Sequence, residues 1–129
     1  MKPRRSARRR HTRTTKPVSP SVYGFKVTPK NLRGSEKLLG VPASVELEIV
    51  SEEDVLPDAV LYADQDRMWP DAVEAYRLRI RAGEHPGPVI SLIRDRNGNF
   101  HINNGCHRLA AYRLEGLAAP VEVWGVRPR

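Results

Sequence analysis

The sequence predicts a small α+β domain, ordered strand, helix, β-hairpin, helix, strand, behind a disordered basic leader. Three observations carry this. Residues 44–50 alternate apolar and polar, residues 69–83 follow a helical pattern with end signals, and an Asn-Gly pair at 97–98 separates two apolar runs. A length of 129 residues suits a single domain.

Charge divides the chain. Residues 1–35 hold eleven basic residues and no acidic one; residues 36–129 hold eleven basic against all fifteen acidic, a net charge of −4. The net +7 therefore describes a mildly acidic domain with a strongly basic leader. Residues 1–20 are rich in Arg, Ser, Thr and Pro without an apolar period, and are expected to be disordered. Their arginines Arg4, Arg5, Arg8, Arg9, Arg10 and Arg13 suit phosphate backbones of DNA or RNA, by counterion release and without base reading. A solubilising tail is the plainer alternative. No aromatic residue precedes Tyr23, so base stacking is not the leader's mode.

No run of eighteen apolar residues indicates a membrane span. The N-terminus has no apolar stretch of a secretory signal, and Met1 and Val18 alone cannot give a presequence helix an apolar face. A lone cysteine, Cys106, excludes an internal disulfide and fits a reducing compartment, so a cytoplasmic location is expected.

Residues 21–42 read as an irregular or linker segment: 22–27 alternate weakly, and Pro29, Gly34, Gly40 and Pro42 interrupt the rest. The domain proper is expected over 43–129. Val45, Leu47 and Ile49 form the inward face of the first strand, with an acidic turn at 51–57 after it and a short apolar run at 59–62 of either type. The helix of 69–83 has Pro70 at its first position, Asp71 and Glu74 near its start, Arg79 and Arg81 near its end, and Gly83 as its stop. Val73, Tyr76 and Ile80 share one face, and Arg77, Arg79 and Arg81 spread over the solvated side. His85 to Pro88 is a tight loop with an exposed histidine. Residues 89–93 and 99–102 pair through Asn97-Gly98, with His101 expected on a solvated strand face. A second helix runs from about Leu109 to Leu114, stopped by Gly116, and 120–126 closes the sheet.

The chemistry concentrates at Asn103-Asn104-Gly105-Cys106-His107-Arg108. Asn104-Gly105 allows a sharp strand-to-helix turn. The backbone N–H groups of Cys106, His107 and Arg108 then lack intrahelical partners at the positive end of a helix, which is a ready anion site. Helix starts favour acids, yet this one carries His107 and Arg108 and no carboxylate. That is the wrong sign by a few tenths to about 1 kcal/mol unless an anion is bound. Arg108 can grip two phosphate oxygens and His107 a third. Cys106 has two readings: a thiol with a depressed pKa and so a nucleophile, or a small residue packed at a turn. His101, Cys106 and His107 do not match structural zinc spacing, and Glu52, Glu53 and Asp54 are either magnesium ligands or a solvated turn.

The run Gly105-Cys106-His107-Arg108-Leu109-Ala110-Ala111-Tyr112 resembles the ParB/sulfiredoxin superfamily, and the likeness spans about residues 44–126. Sulfiredoxins have Gly-Cys-His-Arg followed by Tyr-Ala-Ala-Tyr; Leu109 replaces the first Tyr. ParB-type domains have Gly-Glu-Arg-Arg there, then an Ala-rich helix, a Gly, and a strand like Val-Pro-Val, which Gly116, Pro120 and Val121 fit.

The resemblance implies a nucleotide triphosphate, ATP or CTP with Mg2+, against the helix start, with Asn104, Gly105, His107 and Arg108 at its phosphates. Where such a chain is an enzyme, it implies phosphate hydrolysis or transfer. The sulfiredoxin branch implies Cys106 as a catalytic thiol acting on an over-oxidised peroxiredoxin cysteine. Two departures weigh against direct transfer. Ala72 and Ala75 stand where sulfiredoxins have a nucleotide-holding Lys and Ser, and the helical DNA-binding module that partitioning ParB proteins carry downstream does not follow. The expectation is thus a stand-alone nucleotide-phosphate-binding domain, the alternatives being a DNA- or RNA-binding accessory or nuclease-like protein using the leader, and a sulfiredoxin-like thiol enzyme.

Overall fold

The computed structural model describes residues 16–42 and 44–126. The six leader arginines lie outside the described residues. Val18 and Pro20, expected within a disordered leader, belong to the fold: Val18 exchanges backbone hydrogen bonds with Met68 at 2.8 and 2.7 Å, and Pro20 is buried.

A 3-10 turn at Pro20–Tyr23 leads into β1 (Lys26–Val27), and a second at Lys30–Leu32 precedes the short helix α1 (Ser35–Leu39). Then come β2 (Glu48–Val55), β3 (Leu61–Ala63), α2 (Pro70–Arg81), β4 (Ile90–Arg94), β5 (Phe100–Asn104), α3 (Cys106–Leu114) and β6 (Ala119–Gly125). The six strands form one mixed sheet in the order β1-β3-β5-β4-β6-β2. β1, β3 and β5 are mutually parallel, as are β4 and β6, whereas β4–β5 and β6–β2 are antiparallel. The protein is a small mixed α/β domain.

The expected hairpin is β4–β5. Asp95 N–H donates to Asn99 O at 2.8 Å, and the Asp95 carboxylate accepts from the N–H groups of Asn97 and Asn99. Three expectations are corrected and one left open is settled. The strand expected over 44–50 begins only at Glu48, leaving Val45 and Leu47 outside it, and runs on through Ser51–Val55, because seven residues of β6 pair with it, and an edge strand tolerates acids. The apolar run at 59–62 resolves into β3. The segment 21–42 is not a linker: β1 joins the sheet, and Phe25 is 2% exposed within the core. His101 is not a solvated strand residue but is buried, since Thr28 closes over it from 73 residues away.

The core is built by Phe25, Leu61, Met68, Val73, Leu92 and Val123, all essentially inaccessible. The apolar face of α2 packs as its period requires, with Val73 and Ile80 buried. On its polar side Arg77 and Arg81 both bind Glu115, at 2.8 Å, beyond the end of α3, so two arginines of that solvated face tie the helices together.

Candidate anion site

β3 and β5 are parallel, so their carboxyl ends lie at one edge of the sheet, where α2 and α3 begin. Open α/β sheets bind ligands outside the carboxyl ends of their strands. A cavity of about 340 Å³ opens here, lined by Asn103, Asn104, Gly105, Cys106, His107 and Arg108 together with Gln65, Tyr76, Pro88 and Ile102. The structure thus brings the sequence-predicted residues Asn104 to Arg108 to one cavity.

Gly105 makes the turn possible. Its φ of +107° is a conformation that side chains disfavour, and it places α3 directly after β5. The N-cap gives no side-chain hydrogen bond, and the first turn has no acid. Leu109 N–H donates to Gly105 O at 2.8 Å and closes the first turn of α3; in any α-helix the amides before that bond have no acceptor within the helix.

His107 joins the two helix starts. Trp69, the N-cap of α2, donates its backbone N–H to His107 Nε2 at 3.0 Å. Nε2 is thereby an acceptor, and in the neutral ring the proton sits on Nδ1.

Arg108 is only 5% exposed. Its Nη1 donates to the carbonyl oxygen of Pro86 at 3.1 Å and to that of Pro88. Two glycines form the slot for the guanidinium. A Cβ on Gly87 would lie 2.9 Å from Nη1, and a Cβ on Gly105 would lie 3.1 Å from Nη2. Nη1 is thus held by the 86–88 loop, and Nη2 lies against Gly105 at the cavity. Among the described residues no carboxylate pairs with Arg108. The two carbonyls occupy Nη1 but do not neutralise the charge, and a buried unpaired charge is costly. Sequence reasoning took Pro86-Gly87-Pro88 for a plain tight loop; nothing in the sequence ties it to Arg108, which lies 20 or more residues away.

Cys106 departs from expectation. Its side chain turns into the core, 5% exposed, with the thiol donating to Met68 Sδ at 3.5 Å. Burial, aided by the negative charge of Asp64, pushes the thiol pKa up from its ordinary 9.0 to about 12. The depressed pKa is overturned: desolvation outweighs the helix start and the neighbouring cation. This leaves the packing reading of Cys106.

His101 has its own network. The Asp95 carboxylate can only accept, so Nε2–H donates to Asp95 Oδ2 at 2.8 Å, and Nδ1 lies 3.0 Å from the Thr28 hydroxyl. Burial raises the Asp95 carboxyl, but the hydrogen bonds from His101, Asn99 and Asn97 outweigh it and leave its pKa below the ordinary value. Glu52, Glu53 and Asp54 sit in β2, at the far edge of the sheet, with β4 and β6 between them and β5, so they do not approach the cavity. Among the described residues no group of three or more His, Cys, Asp or Glu converges as a metal site.

No protein-family model matches the chain, and no curated protein is matched. Fold and site together define its class in chemical terms: a small mixed α/β domain with a polar cavity where two helices begin. No helix among the described residues is long and apolar enough to cross a membrane.

Proposed function

We propose that the protein binds a nucleotide through its phosphates at the start of α3. The observation that carries this is Arg108, a buried guanidinium with no carboxylate partner among the described residues, in the wall of a cavity lined also by Gly105, Cys106 and His107 at the start of α3. A phosphate supplies the missing negative charge and accepts from Nη2 and from the amides together. The cavity volume falls within the range of small-molecule sites. The resemblance of Gly105-Cys106-His107-Arg108 to ParB/sulfiredoxin-type sequences supports the same reading, and we take the sheet as a member of that fold. ATP or CTP is the nucleotide, with Mg2+ held chiefly by its phosphates. Thiol chemistry is not part of the proposal, because Cys106 is buried and its thiol stays protonated.

The test is calorimetric titration of ATP, CTP and GTP, each with Mg2+, into the full chain and into Arg108→Ala. Losing a charge-assisted contact weakens binding about 10- to 100-fold. Equal affinities would remove the proposal. The leader is common to both proteins, so it cannot produce the difference.

A second reading has its own observation. Val18, which follows the basic leader in sequence, is pinned to Met68, and the Met68 sulfur accepts from the Cys106 thiol at the start of α3. Arg4, Arg5, Arg8, Arg9, Arg10 and Arg13 would then hold DNA or RNA whose phosphate reaches the cavity. Deleting residues 1–15 should abolish a steeply salt-dependent affinity for DNA or RNA; unchanged binding would exclude this reading.

A further inference from the structure

The guanidinium of Arg108 is placed by the loop 86–88, of which only Pro88 lines the cavity. Pro86 and Pro88 have ring-fixed φ, which stiffens the loop whose two carbonyls accept from Arg108. Both accept from Nη1, which leaves Nη2 beside Gly105. Gly87 between them has a φ of +81°, and a Cβ there would meet Nη1 at 2.9 Å, Cζ at 3.2 Å and Cδ at 3.4 Å. The atoms met are the far end of a side chain, so the guanidinium is what would move. Gly87 does not line the anion cavity; it borders a neighbouring cleft of about 110 Å³, which shares Arg108 and Pro88 with that cavity.

We infer that Gly87 is a positioning residue of the anion site: its missing side chain sets where the Arg108 guanidinium lies, and so sets phosphate affinity without touching the ligand. The inference rests on the proposal that Arg108 holds the anion. A strict slot also selects for arginine, because a lysine ammonium cannot bond the two carbonyls with one nitrogen group and present a second to the cavity.

The experiment is a double-mutant cycle on the full chain, with inorganic triphosphate as the probe. Affinities are compared for the unaltered protein, Gly87→Ala, Arg108→Ala and the double variant. Gly87→Asn accompanies them, because asparagine tolerates positive φ and carries the same Cβ, which separates backbone strain from collision. Gly87→Ala and Gly87→Asn each weaken binding about tenfold, the scale of coupling between touching residues, and Gly87→Ala has no further effect once Arg108 is alanine. The same fold-loss in both backgrounds would overturn the inference, as would full affinity in both Gly87 variants. An Arg108→Ala protein that binds like the unaltered chain would remove the underlying phosphate site as well, and the cycle reads that outcome separately.

Discussion

The backbone N–H of Trp69 donates to Nε2 of His107 at 3.0 Å, and this bond joins the N-terminal ends of α2 and α3. Each helix starts after a different strand, so the bond ties the two starts to each other. It also makes Nε2 of His107 the accepting ring nitrogen.

His107→Ala removes that acceptor and leaves a half-buried N–H unpaired. The expected cost is about 1–2 kcal/mol, a fall of several degrees in Tm. His107→Gln, whose side-chain carbonyl can accept, should recover part of it. Thermal melts of the three proteins check this, and an alanine variant that melts with the unaltered protein would show that the bond contributes nothing.

Cys106 should resist alkylation. With its pKa at about 12 against an ordinary 9.0, its thiolate at pH 8 is scarcer by about a thousandfold, and access is poor as well. Iodoacetamide should modify the denatured chain rapidly and the native chain hardly at all. The raised value also means that the thiol's contribution to stability is complete below pH 9 and is lost as pH rises toward 12. Fast labelling of the native protein at pH 8 would restore the nucleophile reading.

Glu115 gives the opposite dependence on pH. Hydrogen bonds from Arg81 and Arg77 hold its carboxyl at about 2, below the ordinary 4.5. A depressed carboxyl stabilises the fold above its ordinary value, and that stabilisation is lost as pH falls from 4.5 through about 2. The gap in Tm between the unaltered protein and Glu115→Gln should therefore be widest near neutrality and close in acid. A gap independent of pH would contradict the clamp.

His101→Phe should cost about 2–3 kcal/mol in urea unfolding, because it leaves the Thr28 hydroxyl and the Asp95 carboxylate without their buried partner. A change within about 0.5 kcal/mol, as at a solvated strand position, would contradict the buried network.

What the sequence disclosed follows the range of the forces involved. The hairpin was legible because Asn97-Gly98 acts locally, and α2 because Pro70, Val73 and Ile80 carry its start and its period. The cavity edge at Asn104–Arg108 was legible because a turn glycine and a misplaced cation sit in one short run. β1 and β3, of two and three residues, are too short for alternation to register. The burial of His101 depends on Thr28, and the direction of the Cys106 thiol depends on Met68, both distant in sequence. The loop carbonyls that hold Arg108 were invisible for the same reason: pattern reports a loop, and only the fold brings residues 86–88 to residue 108.

The central claim is that phosphate binds at the opening amides of α3, and amide chemical shifts test it most directly. In 15N-labelled full-length protein titrated with CTP or ATP and Mg2+, the resonances of Cys106, His107 and Arg108 should move saturably. The same titration of Arg108→Ala should leave them still. Movement confined to residues 1–16, with the amides of α3 unmoved, would contradict the account and assign anion binding to the basic leader alone.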